Sequence, residues 1–387
     1  MEDREEIIRH YFRLGYSYDD ICISLASRHN ILISKRHLKR LINFHMGLFR
    51  RKHYSDINDV IDFIEILLTT SGQLHGYRWI HLKCILHGLT VSRETVRLIL
   101  GFLDPEGVQV RRRRRLRRRQ YRVAGPNFLW HIDSYDKLKP YGICINGCID
   151  GFSRQMIWLK AYHNNSDPRL IAGYYMESIR ETEGCPAVLR TDFGTENSII
   201  KRIQQFLRRN GNDALAGPSS FMQGTSHHNQ RIECWWSFLR KHCTQFWMNA
   251  FSYLREEGMF TGTYLDKALI QFCFLNLIQT ELHDLQLEWN NHRISPSRNR
   301  IGPFGRPEIM YTAPELYQTR SYLMEVQQDE IEVCEEECVF RDNFPCDRDV
   351  YELCCIQMVD NNINVPVTAF DAMMLYERLR RLVLAEL

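Results

Sequence analysis

Two short apolar runs in this chain end on an aspartate, and a third acid follows inside a helical stretch. Phe128-Leu129-Trp130-His131-Ile132-Asp133 is the first run, released by turn-prone Ser134. Val188-Leu189-Arg190-Thr191-Asp192-Phe193-Gly194 repeats it, with Gly194 freeing the chain. Glu233 lies in 229–243, where Ile232, Trp236 and Leu239 recur at helical spacing. An acid at each of two strand ends, with a third on a helix, can converge on one point of a mixed α/β sheet. Oxygen-only ligands of that kind suit Mg²⁺ or Mn²⁺, which hold phosphates and keep several waters.

The stretches around these acids read as alternating elements. Phe128–Asp133, Gly142–Asp150 and Gln155–Ala161 are three strands in series. A helix over Ser166–Thr182, a fourth strand over Ala187–Thr191 and a helix over Glu196–Arg209 follow. Four further pieces stand in order: Ile149-Asp150-Gly151-Phe152-Ser153-Arg154; Thr191-Asp192-Phe193-Gly194-Thr195-Glu196-Asn197; His228-Asn229-Gln230-Arg231-Ile232-Glu233; and Trp289-Asn290-Asn291-His292-Arg293, with Pro303 and Pro307-Glu308 beyond. With the three acids, they resemble the catalytic core of retroviral-type integrases and insertion-sequence transposases over residues 121 to 310. The resemblance implies an RNase H-like fold. It also implies two Mg²⁺ or Mn²⁺ ions, with Asp133 between them and Asp192 and Glu233 each completing one site. Asp136 and Asp150 read as structural acids, and Glu196 as a group that could orient a water. His227 and His228 read as loop residues. One departure is the spacing from Asp192 to Glu233, longer than the retroviral pattern, which a loop around Gly211–Gly224 would absorb.

The chain has 387 residues, enough for two or three domains with a real core. No apolar run approaches the ~18 residues needed to span a bilayer, so no membrane partner is expected. The acidic start, Met1-Glu2-Asp3-Arg4-Glu5-Glu6, does not read as a signal peptide. Thirteen irregularly spaced cysteines fit a reducing compartment: nuclear in a eukaryote, otherwise cytoplasmic. A net charge of +3 says little, but basic residues concentrate before residue 125 and acids after 325.

Residues 1–50 and 51–110 read as two all-α modules of the helix-turn-helix kind, the second also winged-helix-like. In the first, Ser17-Tyr18-Asp19-Asp20 forms a capping box, and Ser34 opens a basic helix carrying Arg36, Lys39 and Arg40. In the second, Gly76-Tyr77-Arg78-Trp79-Ile80-His81 and Ser92-Arg93-Glu94-Thr95-Val96-Arg97 resemble the segment preceding the core in insertion-sequence transposases. Arg93 and Arg97 become its groove-facing candidates, whereas Trp79 and Leu82 read as core. The plainer alternative for both modules is helical packing with a solvated basic face. Residues 111–122 form an arginine-rich linker, in which Arg111, Arg112, Arg113, Arg114, Arg115, Arg117, Arg118 and Arg119 surround Leu116. Such density seeks phosphate, with counterion release supplying sequence-independent affinity; a nuclear-import signal or a free linker are the alternatives.

The catalytic core is expected over 123–310 and an unassigned appendage over 311–387. Tyr264–Trp289 contains a long helix that reads as buried core or subunit contact, and Ala369–Leu387 reads as an amphipathic terminal helix. The function implied is a metal-dependent polynucleotidyl transferase that cuts and joins DNA. It would act as at least a homodimer on DNA, because joining two ends takes two active sites. The competing reading is a domesticated transposon-derived protein that binds DNA without recombining it. A nuclease acting on RNA in hybrids would share the fold but leave two DNA-reading modules unexplained.

Overall fold

The computed structural model describes residues 4–50, 52–105, 108, 122–225, 229–296 and 302–386. The arginines of 111–119, and His227 and His228, lie outside the described residues. The chain divides into two compact units: Met1–Pro126 with Glu288–Ser321, and Asn127–Leu287 with Tyr322–Leu387.

The first unit is helical. It begins with α1 (Arg4–Arg13), α2 (Tyr18–His29) and α3 (Lys35–Arg40), which runs on into a π-helical turn, Leu41–His45. Ser17 Oγ accepts from the Asp20 N–H and Asp20 Oδ2 from the Ser17 N–H, both at 3.2 Å, so two orphan donors at the start of α2 are satisfied. Ile8, Ile21, Leu25, Leu38 and Ile42 are buried together, joined by Ile309 from the later helix Pro307–Thr312. A second core links α4 (Ile57–Leu68), α5 (Tyr77–Leu86) and α6 (Arg93–Leu103) through Val60, Ile64, Ile80, Cys84, Val96 and Leu100. Trp79 is buried, as its helical spacing predicts. Residues 288–321 are hydrogen-bonded into this unit. Glu288 accepts from Trp79 Nε1 and pairs with Lys83 Nζ, both at 2.6 Å. Arg306 lies over the Tyr16 ring and donates to Asp20 Oδ2 at 3.1 Å.

The second unit is built on a five-stranded mixed sheet. Its first strands are β1 (Leu129–Tyr135), β2 (Cys144–Asp150) and β3 (Met156–Tyr162), paired as antiparallel neighbours. Next come α7 (Pro168–Thr182), the short β4 (Gly184–Cys185), β5 (Val188–Thr191), α8 (Ser198–Leu207) and β6 (Phe221–Gln223). Asp167 caps α7 by accepting from the Arg169 N–H at 2.9 Å, and Pro168 supplies the preset φ of a first helical residue. β5 runs parallel to β1 and β6 parallel to β5, giving the order β3-β2-β1-β5-β6. This mixed sheet, following helical modules, is the α/β, RNase H-like architecture. β6 is a finding beyond the sequence pattern, since its three residues lie inside the stretch expected to be only a loop.

Helix α9 (Gln230–Leu239) continues through a π-helical turn, Arg240–Thr244, into α10 (Gln245–Glu256). The long α11 (Tyr264–Asn291) buries Leu269, Ile270, Phe274, Leu275, Ile278 and Leu282 completely, so this stretch is core. Residues 322–387 belong to the same compact unit as the sheet. Glu325 pairs with Gly184 in a two-stranded ladder. The acids that follow meet arginines of α7 and α8 and the residues after them: Glu335 with Arg180, Glu337 with Arg202 at 2.7 Å and Glu330 with Arg209 at 2.6 Å. The terminal helix Ala369–Glu386 buries Leu375, Tyr376 and Leu379, and Tyr376 donates to the Met259 carbonyl at 3.0 Å. No described helix is long and apolar enough to cross a membrane.

Candidate active site

Asp133 stands near the end of β1, which is parallel to β5, and Asp192 directly follows β5. Adjacent parallel strands deliver both carboxylates to the same edge of the sheet. The third acid needs the chain to return, and the start of α9 shows how it is held. Asn229 precedes α9 and donates from Nδ2 to the Ile132 carbonyl of β1 at 2.7 Å. Its Oδ1 meets His131 Nδ1 at 2.6 Å. With the amide nitrogen committed to Ile132, the imidazole is the donor of this pair. His131 is fully buried and its proton affinity is pushed down to about 3, first by burial, so it serves as a neutral donor. The helix carrying Glu233 is thereby tied to the strand carrying Asp133.

One turn past Glu233 on α9, Trp236 donates from Nε1 to Asp133 Oδ2 at 2.8 Å. The indole has room because residue 147, opposite Asp133 in the β1–β2 register, is glycine. A Cβ at Gly147 would stand 2.9 Å from Trp236 Cη2. Helical spacing predicts Trp236 only as a packing residue; periodicity says which face a side chain is on, not where its N–H points.

Burial pushes the Asp133 carboxyl up to about 7; the indole hydrogen bond opposes this, while Glu233 and Asp192 add to it. Both acids therefore bear on Asp133, as two like charges near a third must. Asp192 accepts at Oδ1 from the Gly194 N–H at 3.1 Å and from Asn197 Nδ2 at 3.0 Å. Among the described residues no donor reaches its Oδ2. Glu196 folds back over Gly194 and is half-buried; burial raises its proton affinity, with help from Asp192 and Asp136. Asp136 is exposed and accepts from Lys139 Nζ at 3.1 Å and Asn165 Nδ2 at 2.6 Å. Asp150 is fully buried in the β2–β3 turn, where it accepts from the backbone N–H groups of Asn127, Phe152 and Ser153.

The candidate nucleic-acid residues lie in the first unit. Arg36, Lys39 and Arg40 are exposed on α3 and line an open groove with Ser34, Asn43 and Phe44. Arg93 and Arg97 are exposed on α6, and Arg97 forms a surface fork with Glu94, Nε to Oε2 at 2.9 Å. Ser34 and Ser92 cap these two helices by accepting from the His37 and Thr95 N–H groups.

Residues 120–318 match the integrase core domain family. The matched region contains the mixed sheet, all three acids and the Asn229 and Trp236 anchors. The chain belongs to the integrase core family. A comparison with curated proteins gives no match. Integrase cores generally use divalent metal ions, and three carboxylates such as Asp133, Asp192 and Glu233 have chemistry that would suit them; Asp192 Oδ2 has no donor among the described residues. No group of three or more His, Cys, Asp or Glu side chains among the described residues forms a ready-made metal cage. Divalent ions held by a few carboxylates would ask for less than such a cage, since water and phosphate oxygens can complete their shells.

Proposed function

We propose that this integrase-family protein is a metal-dependent polynucleotidyl transferase that cuts and joins DNA at Asp133, Asp192 and Glu233. The observation that supports the reading is geometric: β1 and β5 run parallel side by side, and Trp236, one turn past Glu233, donates to Asp133 Oδ2. Three carboxylates brought toward one edge of the sheet would gain a use when a polyvalent cation and a phosphodiester arrive. Asp133 would hold two Mg²⁺ or Mn²⁺ ions, with Asp192 completing one site and Glu233 the other. When bound, such ions activate the attacking oxygen and stabilise the leaving one. The protein's part is to keep its acids fixed: Asn229 and His131 hold the start of α9, and Trp236 holds Asp133. Water as nucleophile gives strand cleavage, and a DNA 3′-hydroxyl gives strand transfer in the same geometry.

Arg36, Arg40, Arg93 and Arg97 are proposed to include the base-reading residues of two helix-turn-helix modules, with Lys39 a further DNA contact. Arg111–Arg119 is proposed to grip phosphates, and in a eukaryotic host to serve nuclear import. The working assembly on DNA is at least a dimer, and Phe370 and Met374, exposed on the terminal helix, are candidate contacts between copies. The decisive assay follows a labelled duplex carrying the element's terminal sequences, with and without Mn²⁺, for the wild type and for Asp133→Asn, Asp192→Asn and Glu233→Gln. Each substitution should abolish cleavage and joining while leaving metal-free DNA binding intact, and pairs should lose no more than singles. Neutralising four arginines of 111–119 should weaken binding to all sequences alike and lower the salt slope by roughly 0.9 per lost contact. A wild-type protein that binds DNA but performs no metal-dependent chemistry on those ends would hand the lead to the domesticated reading.

A further inference from the structure

Among the described residues, Phe193 stands apart from the other aromatic side chains around the acids. Trp130, Tyr135 and Trp236 are buried. Phe193, which follows Asp192 directly, is 67% exposed. Isolated exposed apolar side chains are common and mean little by themselves. Phe193 differs in its mounting. The Asp192 carboxylate accepts from Gly194 and Asn197, Thr191 Oγ1 donates to the Asp192 carbonyl at 2.9 Å, and the Gly224 N–H reaches the Thr191 carbonyl at 3.2 Å. Glu196 covers the Gly194 side of the turn. The backbone on both sides of Phe193 is therefore anchored, and its ring is held out to solvent beside the acid edge.

We propose that Phe193 is a stacking platform for an unpaired base of the DNA strand next to the phosphate that the acids receive. This rests on the polynucleotidyl transferase reading above. The acids repel phosphates until a cation is bound, and the Phe193 ring offers a strand at this edge a contact of another kind, apolar and planar. A nucleobase offers a flat π-face one nucleotide's reach from its phosphate. Stacking on an aromatic ring is sequence-tolerant, because each of the four bases has such a face. The platform would fix the strand's register at the acids without reading its sequence, leaving sequence choice to groove-reading residues elsewhere.

The test is a cycle between the ring and the base. A fluorescein-labelled duplex with a short single-stranded end is titrated in Ca²⁺, so that binding is read without reaction. An abasic nucleotide is stepped through the single-stranded end and the adjoining pairs. Phe193→Ala should weaken binding roughly 5- to 150-fold, the range for loss of one base–aromatic stack. Phe193→Trp should restore it. At one position the abasic nucleotide should cost the wild type the same factor and cost Phe193→Ala nothing further. Additive losses at every position would overturn the proposal, as would unchanged binding. A change in oligomeric state with DNA binding intact would overturn it too, assigning the ring to a second copy of the chain. Cleavage of the unmodified duplex in Mn²⁺ is measured alongside. Its absence in the wild type would count against the transferase reading, whereas the binding cycle judges Phe193 either way.

Discussion

Asp133 and Asp150 stand toward opposite ends of one antiparallel ladder: Asp133 is opposite Gly147, and Asp150 is opposite Trp130. Burial raises the proton affinity of both, to about 7 for Asp133 and about 6 for Asp150. Their neighbours differ in kind. Asp150 Oδ1 accepts from the Asn127 N–H at 2.8 Å, and Oδ2 accepts from the Phe152 N–H at 3.1 Å and from the N–H and hydroxyl of Ser153 at 2.7 Å. These donors belong to the turn itself and to the approach to β1, so the carboxylate organises backbone. Asp133 has an indole from a distant helix, the Ser134 N–H and two other acids. One end of the ladder uses a buried charge to define the fold. The other end holds a carboxylate that faces two further acids, and under the proposed function it is the end prepared for a cation.

The largest effect should come from breaking the prepared end. Asp133→Asn keeps the shape and the indole contact but removes the negative charge proposed to bind metal. Metal-dependent cleavage should fall by about a thousandfold or more. The melting temperature should stay level or rise, because repulsion from Asp192 and Glu233 is relieved. Asp150→Asn should do the reverse. One face of the amide would present N–H groups to a backbone N–H, costing about 3 kcal/mol for unsatisfied buried donors. Denaturant titration should show that loss, while cleavage per folded molecule survives. An Asp150→Asn protein that folds normally but fails at chemistry would erase the distinction between the two ends.

The pH dependence of folding sharpens the same point with a smaller effect. The folded protein takes up a proton at Asp150 near pH 6, whereas the unfolded chain does so only near the ordinary aspartate value of 3.8. Between those values the folded state binds more protons, so this group favours folding increasingly as pH falls from about 7 toward 4. Asp150→Asn removes that increment, so its deficit relative to the wild type should be greater at pH 5 than at pH 8. An equal deficit at both would mean that the carboxylate does not titrate in this range.

The sequence made the sheet legible because its strands are apolar runs of ordinary length with punctuated ends. Asp192 was visible as the acid that ends such a run, and the helix carrying Glu233 through Ile232, Trp236 and Leu239; Asp133 was visible too, although β1 runs on through Ser134 to Tyr135 rather than turning at Ser134. β6 escaped because Phe221–Gln223 is three residues long and only Phe221 is buried among them, too short for any period to register. The His131–Asn229 link spans 98 positions and depends on side-chain direction, which composition does not encode. The packing of residues 322–387 was hidden for a related reason: Glu330, Glu335 and Glu337 are only part of an unassigned acidic stretch until their arginine partners are known. Which long-range partner a polar side chain chooses is a property of the assembled core.

The smallest predicted effect tests whether the indole prepares Asp133 or only packs beside it. Trp236→Phe keeps an aromatic ring on α9 but removes the N–H that reaches Asp133 Oδ2. Losing the partner that orients a metal ligand costs roughly 10- to 100-fold in metal affinity, so the Mn²⁺ concentration giving half-maximal cleavage should rise by that factor. The rate at saturating Mn²⁺ should fall much less, because bound ions can themselves impose the orientation. Gly147→Ala reaches the same contact from the other side, since its methyl would crowd the indole from 2.9 Å while leaving the donor present. Both substitutions should shift the Mn²⁺ requirement in the same direction, and the double variant should lose less than the sum, because both act through one hydrogen bond. A loss confined to thermal stability, with the Mn²⁺ requirement unmoved, would make Trp236 a packing residue and leave Asp133 to be oriented by the ions alone.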